Sequence, residues 1–491
     1  MPEHFDVVVV GAGISGIGMA YHLQTRCPDR SYVVLEGRSA IGGTWDLFRY
    51  PGIRSDSDMH TLGFSFQPWR EAKAIADGPN IRAYVESTAR EHAIDRRIRF
   101  DTRVKRASWS TPDARWTVEA ERSDGTVVAF TCGFLCMCSG YYNYARGHSP
   151  EFPGDELFAG RIVHPQLWPE DLDYTGKRVV VIGSGATAVT LVPELAKKAA
   201  HVVMLQRSPT YVVSRPAEDA VANFLRRVLP RKAAYRVTRW KNVLFGMYFY
   251  RLARRKPAQV KERILQWVRD HLGPDYDVAT HFTPSYNPWD QRLCLVPDAD
   301  LFQAIKAGRA SVATDTIETF TPDGIRLRSG RELEADVVVT ATGLELQLLS
   351  GVEFRVDGEP RDLSKSLNYK GCMFSDVPNL AYTFGYTNAS WTLKADLTAL
   401  YVCRVLNTMR KRGMRQATPV NDDPSVEAQP FLDFTSGYVQ RALEHLPKQG
   451  SKNPWRVNQN YALDVMALRF GSVDDAMVFS NPEPSRTRQA A

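Results

Sequence analysis

Three glycines and a carboxylate are the first residues whose spacing could do chemistry. "FDVVVVGAGISGIGMAYHLQ" places Gly11, Gly13 and Gly16 in a GxGxxG turn, and Glu36 ends the next apolar run, "SYVVLE", 20 residues after Gly16. Such a turn lets the backbone approach a pyrophosphate seated on a helix N-terminus. A carboxylate at that distance can accept hydrogen bonds from both ribose hydroxyls. A second copy, "KRVVVIGSGATAVTLVPELA", carries Gly183, Gly185 and Ala188 at the same spacing, but its next run, "HVVMLQRSPT", ends in Arg207 and Ser208. An acid would repel a 2′-phosphate, whereas a guanidinium with an adjacent hydroxyl can bind one. The first unit therefore suits the unphosphorylated ribose of FAD or NAD, and the second suits NADPH. Two such units in one chain point to electron transfer from NADPH to a bound flavin.

The elements that must hold these residues follow from the apolar patterning. Continuous apolar runs before each turn suit parallel strands buried on both faces. The expected fold class is α/β, with two Rossmann-like dinucleotide-binding domains and a helical insert. "FLCMCSG" at 134–140 and "ADVVVTATG" at 335–343 read as the outward and return crossings, so the NADPH domain is inserted in the FAD domain. The expected divisions are 1–142 for the first part of the FAD domain, 143–210 and 281–340 for the NADPH domain, and 211–280 for the insert. Residues 341–491 complete the FAD domain and supply a C-terminal substrate-pocket region.

Composition bounds the rest. A chain of 491 residues with 44% hydrophobic and 24% charged content is globular and needs more than one core. No apolar run is long enough to span a bilayer, and no basic leader precedes the first strand, so a cytoplasmic protein is expected. The seven cysteines suggest buried thiols, with Cys136 and Cys138 on one strand face. No Cys/His cluster completes a zinc site, so no metal is expected. The net charge of +7 is concentrated between Arg226 and Asp270, where 14 Lys/Arg face only Glu262 and Asp270. This basic stretch is interleaved with Trp240, Phe245, Tyr248, Phe249 and Tyr250. It reads either as a solvated helical face or as a contact with an anionic membrane at its inner surface. No nucleic-acid motif accompanies the charge.

Two longer motifs remain. "GGTWDLFRYPGIRSD", Gly42–Asp56, matches [A/G]GxWxxxx[F/Y]P[G/M]xxxD, and Phe158–Pro169 matches FxGxxxHxxxW[P/D]. With both nucleotide turns in order, the chain resembles the class B flavoprotein monooxygenases of the Baeyer–Villiger type along nearly its whole length. "RSDSDMHTLGF", "NPWDQRLCLVP" and "GYTNASWTLKADL" resemble the ethionamide-activating members most. The resemblance implies that NADPH reduces FAD and that O2 adds to the flavin as a C4a-peroxyflavin. This species then converts small apolar ketones to esters or lactones and can oxidise sulfur in thioethers or thioamides. A charged peroxide needs a fixed cation. The resemblance assigns that role to Arg292, held by Asp56.

The same resemblance places Ser15 and Glu36 on the FAD phosphates and ribose, and Thr44, Trp45, Asp46 and Leu47 along the flavin. Val104 meets the adenine, Arg54 and Ser55 face the nicotinamide, and Gly183, Ser184, Gly185, Ala186, Thr187, Ala188 and Val189 wrap the NADPH pyrophosphate. A helix beginning near Ser390 would offset negative charge on the reduced flavin, and Trp455 would line the substrate entrance. His164 would couple movement of the NADPH domain to turnover; the residues alone are equally met by a histidine that fixes a linker. Gln291 departs from the pattern, since many members have lysine there. Weaker discrimination against NADH is therefore expected, with NADPH still preferred. Two other readings stand beside this one: a mainly S- or N-oxygenating enzyme, and a catalytically silent, membrane-attached flavin-binding scaffold. A flavin disulfide reductase would need a CxxC dithiol, which the sequence lacks.

Overall fold

The apolar run at the start of the chain becomes β1 (Glu3–Val10), the centre of a parallel sheet. The computed structural model describes residues 2–291, 293–432 and 436–483. Val7 and Val9 enter one core, Val8 and Val10 another, so both faces of β1 are covered. α1 (Ile14–Arg26) leads to β2 (Tyr32–Leu35), which pairs in parallel with β1. β3 (Val127–Met137) pairs in parallel on the other side of β1. An antiparallel layer, Thr102–Ser110 and Arg115–Arg122, continues the sheet beyond β3.

The second unit repeats the first. β4 (Arg161–Val163), β5 (Arg178–Ile182), β6 (His201–Gln206), β7 (Ala310–Thr314) and β8 (Val337–Thr340) form a wholly parallel sheet in the order β7-β6-β5-β8-β4. α2 (Ala186–Leu195) follows β5 as α1 follows β1. The chain then returns: β9 (Leu380–Tyr382) pairs in parallel with Leu135–Met137 of β3. The first sheet is thus completed by residues beyond the second, and the second unit interrupts the first. Outward and return connections pair as an antiparallel ribbon, Tyr142–Gly147 against Leu344–Leu346.

The insert differs from a freely solvated basic bundle. It opens with a strand, Val212–Arg215, paired in parallel with Cys294–Pro297. Its helix α3 (Arg231–Arg255) lies on the first unit, where Tyr235 Oη donates to the Phe64 carbonyl at 3.0 Å. Arg239, buried, donates to the carbonyls of His60, Thr61 and Gly63 at 2.9, 3.2 and 2.7 Å and meets Asp396 at 3.5 Å. A buried guanidinium persists only with such partners. α4 (Pro257–Leu272) instead joins the core of the second unit through Leu265 and Val268. The insert therefore touches both units because its apolar residues face two different cores. All seven cysteines are buried and none forms a disulfide, with Cys136 and Cys138 in the same core.

Candidate active site

Each glycine turn is shaped by the crossing strand beside it. Gly11 has φ +102°, and a Cβ there would lie 2.7 Å from the Cys138 carbonyl oxygen. Gly183, φ +133°, approaches the Ala341 carbonyl more closely than any Cβ would allow. Both turns therefore sit where a strand leaves its sheet for the other unit, at the carboxyl ends of the parallel strands. That is where open α/β sheets bind ligands.

Glu36 is buried at the end of β2. Its Oε2 accepts from the Ala12 amide at 2.6 Å and its Oε1 from the Arg38 amide at 2.9 Å. Burial raises its pKa above the usual carboxylate range, against the pull of those two amides. In the second unit, Ser184 Oγ donates to the Ser208 carbonyl at 3.1 Å, tying the turn to the loop after β6. Arg207 and Ser208 are both exposed there. The two units thus present an acidic and a cationic end.

A cleft of about 560 Å³ runs between the units. Of the residues expected to bind nucleotide, Gly11, Gly13, Ser15, Glu36, Thr44, Trp45 and Val104 line it, as do Arg54, Ser55 and Asp56. Ala186 and Thr187 reach it from the second turn. Gly183, Ser184, Gly185, Ala188, Val189, Arg207 and Ser208 lie outside its walls, on the second unit's own turn and loop. Gly16 packs behind Gly11, whose carbonyl leaves no room for a side chain. Asp46 and Leu47 stand behind the surface rather than on it. Asp46 is buried and pairs with Arg38 at 2.6 Å, Arg82 at 3.0 Å and Arg49 at 3.3 Å. A carboxylate so enclosed serves to hold Arg38, which does line the cleft.

The first signature ends at a junction. Asp56, Ser57, Leu295 and Ala389 line both the cleft and a second cavity of about 220 Å³. Asp56 is the ionisable group among the four. Arg54 makes a bidentate pair with Asp300 at 2.5 and 3.3 Å, joining the two units beside the junction. The second cavity is walled by Asn242, Val243 and Gly246 of α3 and by Gln459, Asn460 and Tyr461 near the C-terminus. Arg292 lies outside the described residues; its neighbour Leu293 lines this second cavity.

The flavin-binding monooxygenase-like family matches residues 5–273, more than half of the chain. The chain belongs to this family. It is 57% identical over 476 residues to the FAD-containing monooxygenase EthA of Mycobacterium tuberculosis, covering 97% of each chain. It is 48% identical over 480 residues to the probable FAD-binding monooxygenase AlmA of Acinetobacter baylyi, covering 97% of this chain and 96% of that one. Among solved structures, an oxidized steroid monooxygenase bound to NADP aligns with a TM-score of 0.73 at 23% identity, over 97% of this chain and all of that one. OTEMO in complex with FAD and NADP aligns with a TM-score of 0.71 at 21% identity, over 86% of this chain and 87% of that one. The expected flavin monooxygenase and its α/β fold with two dinucleotide-binding units are both shown at this level.

Other parts of this monooxygenase-like chain were expected less fully. His164 accepts from the Gln166 amide at Nδ1 (3.1 Å), so its proton is on Nε2, which donates to the Gly343 carbonyl at 3.2 Å. The ring also presses on Gly147, where any Cβ would collide with it. One imidazole thus touches both the outward and the return connection, and burial holds its pKa below the usual range. α5 (Trp391–Arg412) begins with Ser390 as its N-cap, as expected. Its Trp391 lines the cleft and donates to Ser15 Oγ at 2.7 Å. Trp455 does not line an entrance: it is 2% exposed and packs against Tyr369, with ring centres 5.4 Å apart, inside the first core. A large apolar ring gains more from that core than from a solvated mouth.

Sequence reasoning missed Arg38, Tyr50, Tyr144 and Gln166, all of which line the cleft. Tyr50 meets Thr187 of the other unit, and Tyr144 meets Thr44. Gln166 lies inside the second signature at a position where the pattern allows any residue, so nothing marked it. Its Nε2 donates to the Asn143 carbonyl at 2.7 Å, yet its buried Oε1 has no partner among the described residues. Buried Ser139 Oγ, also on the cleft wall, is alike in this. Unsatisfied buried polar atoms facing a cleft fit a polar occupant that completes them.

Proposed function

We propose that this protein is an FAD-dependent, NADPH-driven Baeyer–Villiger monooxygenase that also oxidises sulfur in thioethers or thioamides. In this reaction a small apolar ketone, O2, NADPH and a proton become an ester or lactone, NADP⁺ and water. The observation that carries the reading is that one cleft is lined by the first turn and is reached from the second by Ala186 and Thr187. The first unit ends in a buried carboxylate suited to an unphosphorylated ribose, the second in an exposed arginine and serine suited to a 2′-phosphate. FAD, when bound, supplies the hydride acceptor and the oxygen-activating ring.

The chain's own residues would do the rest. Gly11, Gly13 and Ser15 would hold the FAD pyrophosphate, Glu36 the ribose, Val104 the adenine, and Thr44 and Trp45 the flavin edge. Arg207 and Ser208 would hold the NADPH 2′-phosphate, with residues 183–189 along its pyrophosphate and Arg54 and Ser55 at its nicotinamide. Arg292 would be the cation at the reacting oxygen, and Asp56 would position it where cleft and second cavity meet. The substrate would occupy the second cavity. The start of α5, with Ser390 as its cap, would oppose negative charge on the reduced ring. The enzyme would work in the cytoplasm, with segment 226–270 at the inner face of the membrane.

The decisive assay adds NADPH to the yellow protein under nitrogen, then air with a ketone or a sulfide. Bleaching followed by ester from the ketone is expected. Sulfoxide without ester would shift the assignment to S-oxygenation, and failure to bleach would overturn the redox reading altogether.

Two further outcomes follow. Acidification is expected to release FAD as the pH falls through the raised pKa of Glu36, because the neutral carboxyl loses acceptor capacity for the ribose. Release should therefore begin above the usual carboxylate range, and in Glu36→Gln, whose weaker flavin binding has no such titration, it should not track pH there. Flavin fluorescence against pH reads both. His164→Gln is expected to lower kcat by about tenfold with little change in the KM for NADPH, if the imidazole couples the two connections. A fall in Tm with unchanged kcat would assign it to fixing the linker instead.

A further inference from the structure

Three neighbouring elements expose apolar side chains at helical spacing. In the helix Ala220–Val228 these are Val221, Phe224 and Val228, 49–61% exposed. In α3 they are Val237, Trp240, Leu244 and Tyr248, and in segment 461–470 they are Leu463, Met466 and Phe470, 54–63% exposed. Each set recurs at three and four residues, so each forms a stripe. The first helix packs beside α3, and the Trp240 ring lies 5.7 Å from that of Tyr461, so the stripes adjoin. Exposed apolar residues grouped in this way mark an interaction surface rather than ordinary scatter.

The surface is also cationic. α3 contains no acidic residue along its 25 positions. Arg227, Arg231, Lys232, Arg236, Arg251 and Arg255 are all exposed on or beside the stripes. Two carboxylates of these elements are engaged elsewhere: Asp464 is buried against Lys394 at 2.8 Å, and Asp219 pairs with Lys241 at 2.7 Å. A second copy of this face would bring like charges together. Apolar groups flanked by an excess of cations instead complement an anionic bilayer, whose headgroups take the charge and whose acyl region takes the rings. No helix among the described residues is long and apolar enough to cross a membrane, which leaves attachment at the surface.

The position of this face relates it to the second cavity. Asn242, Gly246 and Tyr250 line the cavity from α3. Leu244 and Tyr248 lie two residues on from Asn242 and Gly246, about 200° around the helix. Tyr461, which touches Trp240, lines the same cavity. We propose that this face seats the protein on an anionic bilayer, setting the wall of the substrate cavity against the lipid so that lipophilic substrates enter from it. The substrate route rests on the monooxygenase reading above; the membrane contact does not.

The test sediments full-length, flavin-loaded protein with vesicles of phosphatidylcholine alone or mixed with phosphatidylglycerol. Binding to the anionic vesicles, weakened by salt, is expected. The triple variant Phe224→Ser, Leu244→Ser, Phe470→Ser should lower partitioning by at least about tenfold with its flavin content intact. Equal binding to both vesicle types, or a variant that binds as before, would overturn the proposal. So would a dimer in light scattering that the variant dissolves, since the face would then belong to a second copy. Protein pelleting is read without reference to turnover, so it stands even if oxygenation fails. For the route, the variant should raise KM for a vesicle-borne long-chain ketone and leave a water-soluble ketone unchanged; an equal rise for both would refute it.

Discussion

Replacing Asp56 with alanine is expected to leave a yellow protein that NADPH still reduces, while kcat for ketone oxygenation falls by about 10²–10³-fold. The expectation rests on placement. Asp56 lines the cleft and the second cavity together, whereas the residues proposed to hold FAD line the cleft alone. Its loss should therefore spare flavin binding and reduction and strike the step that needs a positioned cation. NADPH consumption would continue, with peroxide released in place of ester. Asp56→Asn keeps the volume and removes the charge. If charge is what positions Arg292, it should behave nearly as badly as alanine. Rates of anaerobic reduction and the ratio of ester to NADPH consumed separate these cases. A variant with normal ester yield per NADPH would remove Asp56 from the proposed machinery.

The second large effect concerns the choice of reductant. Arg207→Glu is expected to invert the preference, raising KM for NADPH by at least about 100-fold while changing that for NADH little. A hydrogen bond to a charged group contributes about 1.5–3 kcal/mol, or roughly 10- to 150-fold. A carboxylate in its place adds repulsion. Because Arg207 is exposed, salt screens part of the effect, and Arg207→Ala should sit at the lower end. Gln291 supplies no second cation to compensate. The comparison is kcat/KM for both nucleotides at low and high ionic strength. An Arg207→Glu enzyme that still preferred NADPH by its original margin would show that the 2′-phosphate is held elsewhere.

Much of this site could be read along the chain because its parts are local. A buried strand, a glycine turn, a helix and a terminal acid or arginine are set by residues within a few tens of positions of one another. β1 to β2 and β5 to β6 formed where the patterning placed them. Insertion of the second unit in the first could also be inferred, from the order of the motifs, and the pairing of β9 with β3 shows it. Trp455 shows the limit. A tryptophan near the C-terminus suits a core or a cavity mouth equally, and only its packing on Tyr369 assigns it to the core.

The sequence by itself determined two glycine turns, one followed by a strand ending in an acid and the other by a strand ending in an arginine, because backbone sterics and short-range periodicity act between chain neighbours. The tertiary structure decided which groups share the cleft. Arg38 faces it because a buried Asp46 holds its side chain, and His164 touches both Gly147, 17 residues before it, and Gly343, 179 residues after it, because the ribbon brings the two connections together. It also decided that Arg239 is buried while its basic neighbours stay in solvent, and that residues 220–248 and 461–470 present one apolar face. Exposure belongs to the packed whole: the same helical spacing buries a stripe when another element covers it and displays the stripe when none does.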